Sequence, residues 1–255
     1  TGGTVTVLND ADIDGALTLG SISNVETSIN LNTQALTNFT PGARLYISGT
    51  NTSVGTSTLS SNDSGYANTA FGYGSMANNT SGYFNTTHGY RALLSNTTGY
   101  LNVAIGKDSL VSNTEGFFNT AIGANAMAYN TTGERNNAFG NSALASNISG
   151  SFNAAIGDFS LAYNISGDFN TALGRAAGIN ALGSGNVFIG YGAGFEQDDD
   201  SSDKLYISSG ILNLDDNGDF TDITPRNLIT GDFSTGDLSL GQTSGTVTIL
   251  NDADI

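Results

Sequence analysis

The chain has 255 residues, 34 of them glycine, and only 12% are charged. Its 23 acidic residues against 7 basic ones give a formal charge of -16, which leaves no basic surface to neutralise phosphates and argues against nucleic acid or anionic membranes as partners. With no Cys, no Trp and no apolar run of membrane-spanning length, an exported protein that is not inserted in a membrane is expected.

Residues 1–61 are predicted to form a β connector. Val5–Leu8 and Ala16–Leu19 are apolar or alternating runs around an Asp-Gly turn, which is typical of short strands. Apolar side chains then recur at alternating steps of three and four, as in a short coiled-coil seam, but the Ser, Thr and Asn content is poor for a helix. A short helix near residues 24–38 and a strand are therefore alternatives. A further strand is expected from Arg44–Ile47 onward, leading into the repeats.

Residues 62–194 contain eight copies of the pattern N-x-x-G-x-x-N-x-A-[I/F/L]-G, spaced by 17 residues except for a spacing of 16 before the last copy. A unit this short predicts an all-β fold, a parallel β-solenoid or β-roll with one coil per repeat. The first Asn and the Gly three places later fit the ends of a type I turn. The second Asn of each copy is expected inside the roll, where stacked coils would form an amide ladder: Asn68, Asn85, Asn102, Asn119, Asn136, Asn153, Asn170 and Asn186.

Two apolar columns are predicted to form the core of this roll. The first is the residue before the last Gly of each repeat: Phe71, Ile105, Ile122, Phe139, Ile156, Leu173 and Ile189. The second follows five places later: Met76, Leu93, Leu110, Met127, Leu144 and Leu161. His88, the one histidine, stands in the first column and is predicted to be a stacked ring in the core. On this interpretation an aspartate in place of Ile122 buries a charge and is severely destabilising.

The repeat N-T-A-I-G, as at Asn119–Gly123, followed by x-x-A-[L/M], resembles the head repeats of trimeric autotransporter adhesins and related repeats of bacterial surface and phage tail-fibre proteins. The stretches at Gly185–Gly194, Lys204–Ile207 and Asn227–Gly236 look like the segments that follow such repeats. The resemblance implies a left-handed parallel β-roll and a homo-oligomeric fibre. A trimer is the favoured assembly, and a larger ring is the alternative.

Residues 195–242 are predicted to form a second β connector that closes the open end of the roll. Strands are expected at Leu205–Ser208, Ile211–Leu214, Leu228–Thr230 and Leu238–Leu240, and the sequence Asp-Asp-Asn-Gly-Asp is a hairpin turn signal. Residues 245–255 repeat residues 3–13 with ten of eleven identities, displaced by 242. Residues 243–255 are therefore predicted to begin the next copy of a tandemly repeated module.

No cofactor is expected, although two acidic stretches are weak candidates for calcium. Asn213, Asp215, Asn217 and Asp219 match the first half of a calcium loop, but Thr224 stands where its bidentate acid belongs. An acidic surface loop precedes them. The candidate cation ligands are Asp198, Asp200, Asp203, Asp215, Asn217 and Asp219.

Aromatic residues supply the candidate contact site. Tyr66, Tyr83, Tyr100 and Phe117 follow the repeat on four successive coils and predict either a covered contact between subunits or a sugar-binding surface. Strand alternation would place them on the opposite face from the column of Phe118 and Phe152. In that column Arg135 stands between the two Phe residues, which predicts a cation-π sandwich.

With one His, no Cys and no Ser-His-Asp spacing, the chain is not expected to be an enzyme. The first interpretation is a structural and adhesive module of a long extracellular fibre that attaches to a surface, cell or prey. One alternative is a glycan-binding tail-fibre module of a phage or injection system. Another is an ice-binding solenoid using Thr69, Thr86, Thr120 and Thr171, although Val103, Asn137 and Ala154 interrupt that column.

Overall fold

The computed structural model describes residues 45–48, 50–195, 201–209, 211–214, 220–224 and 227–241. These ranges are all-β and contain no helix; none of their segments is a helix that could cross a membrane. The expected strands Val5–Leu8 and Ala16–Leu19, the segment near residues 24–38 and the repeated residues 245–255 lie outside the described residues, as does the turn at residues 215–219.

The described strands are short, and most follow the repeat. They are Leu45–Ser48 (β1), Asn51–Val54 (β2), Thr69–Phe71 (β3), Thr86–His88 (β4), Val103–Ile105 (β5), Thr120–Ile122 (β6), Asn137–Phe139 (β7), Ala154–Ile156 (β8), Thr171–Leu173 (β9), Val187–Ile189 (β10), Lys204–Ser208 (β11), Ile211–Leu214 (β12), Phe220–Thr224 (β13), Asn227–Asp232 (β14) and Asp237–Leu240 (β15). All four strands expected after the roll are present.

One 13-stranded sheet contains all of these strands except β12 and β13, which pair antiparallel with each other. From β2 to β11 every neighbouring pair is parallel and in register, so equivalent positions of successive coils lie side by side, as Ile105 does with Ile122. Strand β1 closes one end by antiparallel pairing with β2, while β14 and β15 extend the other end. The predicted parallel β-solenoid is confirmed.

The roll begins one coil earlier than the sequence pattern indicates. Strand β2 pairs with β3 in the same register that joins the later coils, with Thr52 opposite Thr69 and Val54 opposite Phe71. Its sequence, Asn51 to Gly55, has the strand half of the repeat but is not preceded by the Asn-x-x-Gly half. A search for the whole repeat therefore starts too late.

The first predicted core column is wrong, because the strands turn that column outward. Ile105, Ile156 and Leu173 are 38%, 46% and 48% exposed, whereas the residue before each of them is buried. That residue is usually Ala, and it forms the inner column with Ala70, Ala104, Ala121, Ala138, Ala155 and Ala172. Side chains alternate between the two sides of a strand. Because the second Asn of each repeat points inward, the Ala two places later also points inward and the larger residue three places later points outward.

The second predicted column does lie in the core. Met76, Leu93, Leu110, Met127, Leu144 and Leu161 are fully buried and belong to the same cluster as the alanines. Since the small Ala side chains face these longer ones, the two sides of each coil can approach closely. In most coils the core therefore consists of one Ala side chain packed against one Met or Leu side chain.

Glycine is required at the corner that follows each strand. Gly89 has a φ of 152°, and a Cβ added there would lie 2.4 Å from the backbone oxygen of Gly106 on the next coil. Gly123 makes an equally close approach to Gly140. These contacts are with backbone atoms that cannot move aside, so the corner excludes any side chain.

A larger side chain closes the C-terminal end of the core. In the last coil Phe188 replaces the inner Ala, is 2% exposed, and stacks on Tyr206 of β11 with ring centroids 5.5 Å apart. Gly178 and Gly194 make room for it, because a Cβ at either position would lie within 2.5 Å of the Phe188 ring. The aromatic pair therefore ends the stack of alanines where the parallel coils give way to the antiparallel strands.

Candidate functional site

The second Asn of each repeat lies in the interior and links three neighbouring segments. Asn119 is fully buried, and its Nδ2 donates to the carbonyl of Gly133 at 2.8 Å. Its Oδ1 accepts from the backbone N–H of Asn136 at 3.0 Å and from the Asn136 Nδ2 at 3.2 Å. The backbone N–H to Oδ1 bond recurs at the other seven positions, with Asn68, Asn85, Asn102, Asn119, Asn153, Asn170 and Asn186 as donors.

The first Asn of each repeat forms a second amide ladder. The Nδ2 of Asn96 donates to the Oδ1 of Asn79 on the preceding coil at 2.7 Å and to the carbonyl of its own Gly99 at 2.9 Å. The predicted turn bond is replaced, because the N–H groups of residues 97, 98 and 99 all point to the carbonyl of Thr114 on the next coil. The corner is therefore held both by the neighbouring coil and by the bond from Asn96 to Gly99 within the corner.

The shortened coil interrupts this second ladder. Asn164 still donates to Asn147 at 3.1 Å, but Asn180 donates to the carbonyl of Phe195 instead of continuing the row. The Oδ1 of Asn164 is consequently a buried oxygen without a hydrogen-bond partner. A spacing of 16 residues in place of 17 shifts the amide out of reach.

Both ladders give the Asn residues a structural role. The glycosylation-type sequences at Asn79, Asn96 and Asn130 use amides that are fully buried and hydrogen-bonded in the ladder. Attaching a sugar to any of them requires the coil to open. These amides are also unavailable to an external ligand.

The outer face of the parallel strands presents two side-chain columns without a formal charge. One runs from Val54 through Phe71, His88, Ile105, Ile122, Phe139, Ile156 and Leu173 to Ile189. Beside it run Thr52, Thr69, Thr86, Val103, Thr120, Asn137, Ala154, Thr171 and Val187. We call these two columns the strand face. Five members of the first column, among them Phe139 and Ile189, are 37–48% exposed.

His88 lies on this strand face and not in the core. Its ring stacks on Phe71 with centroids 5.8 Å apart and planes 24° apart, so the predicted stacking is present. The predicted burial is wrong, because the side chain is exposed. Thr69, Thr86, Thr120 and Thr171 share this face, where they flank large apolar side chains.

The aromatic stripe forms one continuous stack. Tyr66, Tyr83, Tyr100 and Phe117 have neighbouring ring centroids 5.1, 4.9 and 4.8 Å apart with interplanar angles of 2°, 7° and 3°. Since each inner ring is covered on both faces by its neighbours, Tyr83 and Tyr100 present mainly edges and hydroxyl groups. This arrangement leaves no open ring face on them for a sugar.

The expectation that the stripe lies on the opposite face from the Phe118 column is wrong. Tyr100 and Phe117 make edge contacts with Phe118, with centroids 5.8 and 5.7 Å apart. The reason lies in the backbone: Phe118 has a φ of 56°, in the left-handed region, as do Phe84, Leu101, Arg135, Phe152 and Phe169 of its column. Alternation holds only for extended backbone, so it fails at this corner.

Arg135 continues the ring stack as predicted. Its Cζ lies 5.4 Å from the Phe118 centroid and 5.3 Å from that of Phe152, one coil away on either side. It is also 5.3 Å from Phe117 and forms an ion pair with Glu134. Contacts within about 6 Å of a ring are favourable for a cation.

A partly buried ion pair joins two neighbouring coils elsewhere on the roll. Asp108 is 5% exposed and accepts from Arg91 Nε at 2.7 Å, with Lys107 Nζ 3.2 Å away. Burial tends to raise the pKa of Asp108, but the hydrogen bonds from Arg91 and Lys107 outweigh it, and the pKa is lowered. Asp108 in turn raises the pKa of Arg91.

Of the candidate cation ligands only Asp203 is described, and its side chain is exposed. Asp198, Asp200, Asp215, Asn217 and Asp219 lie outside the described residues. Among the residues that are described, no group of three His, Cys, Asp or Glu side chains is placed to hold a metal.

Comparison with protein-family models, curated proteins and solved structures finds no match for the chain.

Proposed function

We propose that the chain is a non-enzymatic structural module of an extracellular fibre, which associates with further copies of itself through the strand face. The observation that carries the proposal is that face: two columns of side chains, from Val54 to Ile189, with large half-exposed apolar groups. Contiguous exposed apolar surface is unusual on a soluble monomer and marks a contact.

The partner that suits this face is a like copy. A chain with a formal charge of -16 places none of its Asp, Glu, Lys or Arg side chains on the outward positions of β2 to β10. Two such copies can therefore meet without bringing like charges together. Nine strands at about 4.8 Å each give a flat strip roughly 40 Å long, which favours side-by-side packing of whole rolls.

The two buried amide ladders support a role in bearing load along the roll axis. Each coil is joined to the next by backbone bonds and by amide bonds such as Asn96 to Asn79 and Asn136 to Asn119. Because several such bonds join each pair of neighbouring coils, tension along the axis is shared by many bonds in parallel. A rod of this kind suits a spacer that holds other parts of a long protein away from a surface.

The resemblance to trimeric autotransporter heads supports placing the module in a cell-surface adhesive fibre. It favours a trimer, with a larger ring as the alternative and a virion tail fibre as an alternative location. A sugar-binding role for the Tyr66 stripe is not part of the proposal, because stacking covers the ring faces of Tyr83 and Tyr100.

A single introduced cysteine tests the proposal, since the chain has none of its own. In Ile122→Cys the thiol lies on the strand face, and a short bis-maleimide reagent is expected to link copies into covalent oligomers. Asn78→Cys is the control, because Asn78 is exposed but lies outside the strand face. Equal linking of the two variants, or none with Ile122→Cys, contradicts association through this face.

A further inference from the structure

Two exposed tyrosines occupy the same column with one coil between them. Tyr129 and Tyr163 are 63% and 56% exposed, and the equivalent residue of the intervening coil is Ser146. Backbone hydrogen bonds keep these coils in register. The Tyr129 N–H donates to the carbonyl of Ala145, and the Ser146 N–H donates to the carbonyl of Ala162, both at 2.9 Å. Two coils correspond to about 10 Å along the axis.

Elsewhere in the roll, a side chain fills the space between two aromatic rings that are two coils apart. Phe118 and Phe152 are also two coils apart, and the Arg135 guanidinium lies between them at 5.4 and 5.3 Å from the two centroids. A separation of two coils thus accepts one flat group within contact distance of both rings. Between Tyr129 and Tyr163 the Ser146 side chain is too short to occupy this space.

The surroundings indicate what kind of group fits. The described segments 127–133, 144–150 and 161–167, which carry this column and the adjoining corner, contain no Asp, Glu, Lys or Arg. They expose Thr132, Ser149 and Ser166 together with Ile148 and Ile165. An uncharged surface of hydroxyls and apolar groups disfavours an ionic ligand and suits a neutral ring bearing its own hydroxyl groups.

We propose that Tyr129 and Tyr163 form a slot that binds a neutral sugar ring of a glycan between their rings, above Ser146. A puckered sugar ring with carbon contacts of about 3.5–4.0 Å on each side matches a gap of this size better than a thinner planar ring does. The slot is separate from the strand face, so the inference does not depend on self-association.

The test uses the intact chain and three neutral probes, cellohexaose, maltohexaose and chitohexaose, titrated to about 10 mM by calorimetry. At least one probe is expected to bind. Tyr129→Ala and Tyr163→Ala are each expected to weaken binding about tenfold, because each removes one of the two aromatic rings that contact the sugar. Because both side chains are exposed, the melting temperature should stay unchanged.

Ser146→Arg provides a variant that keeps both tyrosines. Its guanidinium is expected to fill the slot as Arg135 fills the gap between Phe118 and Phe152, and so to abolish binding. Ser95→Arg is the matched control, since Ser95 has the same place in its coil but Asn78 and Ser112 as column neighbours. Absence of binding by all three probes, binding that survives Ser146→Arg, or equal loss with Ser95→Arg overturns the proposal.

Discussion

Replacing Asn119 by Ala tests the inner amide ladder at the middle of the roll. The substitution removes the Oδ1 that accepts from the Asn136 backbone N–H at 3.0 Å and from the Asn136 Nδ2 at 3.2 Å, and the Nδ2 that donates to Gly133 at 2.8 Å. The Gly133 carbonyl keeps Asn130 as a donor, and the Asn136 Nδ2 keeps Gly150 as an acceptor. Only the Asn136 N–H is left without a partner.

The expected loss follows from these contacts. A buried N–H without a partner costs roughly 1–3 kcal/mol, and each of the other two lost bonds contributes roughly 0.5–1.5 kcal/mol. We therefore expect Asn119→Ala to lower the free energy of unfolding by roughly 2–6 kcal/mol.

The assay is denaturant unfolding followed by circular dichroism at one fixed protein concentration, because association also contributes to apparent stability. Asn78→Ala is the control: Asn78 is exposed outside the strand face, so the substitution should change stability by less than about 0.5 kcal/mol. Equal effects of the two substitutions would refute the reasoning that the inner amides hold the coils together.

Three further variants probe other parts of the account. Ala121→Asp places a charge in the fully buried inner column and is expected to abolish the cooperative melting transition at neutral pH; normal melting would contradict the core assignment. Arg135→Lys removes the planar group between two Phe rings and is expected to cost about 0.5–1 kcal/mol, measured by chemical denaturation. Asp108→Asn should cost about 1 kcal/mol or less, because 42% of the Arg91 side chain is exposed to solvent. Folding lowers the pKa of Asp108, so the stability difference between the wild type and Asp108→Asn is fully present above the unfolded-state pKa of about 3.9. It vanishes as the pH falls through the lower folded-state pKa. A stability difference that grows on acidification would contradict the ion pair.

The 17-residue period of the coils and the burial of the Asn amides could be predicted because the same residues recur in every repeat. A spacing of 17 with Asn and Gly at fixed places admits few folds, and the amide of Asn119 needs a partner that only a neighbouring coil provides. The same reasoning should have placed Ala121 inside and Ile122 outside. Hydropathy pointed the other way, because Ile is the more apolar of the two residues.

The arrangement of the aromatic residues could not be read from the sequence. Phe84, Leu101 and Phe118 adopt a left-handed conformation that side chains of their type rarely adopt, and nothing in their identity signals it. The conformation is imposed by the corner, where the neighbouring coil supplies the hydrogen bonds. The pairing of Tyr129 and Tyr163 could not be predicted for a related reason, because it depends on the short Ser146 side chain between them and on which side chains are exposed.

The mass of the protein in solution tests the proposed function most directly. Sedimentation equilibrium at micromolar concentration is expected to show a homo-oligomer of the 26.1 kDa chain. In the double variant Ile122→Asp, Ile156→Asp both charges lie on the strand face, so the variant is expected to melt as a folded protein but to sediment as a monomer. A monomeric wild-type chain, or a double variant that keeps the wild-type mass, contradicts association through the strand face.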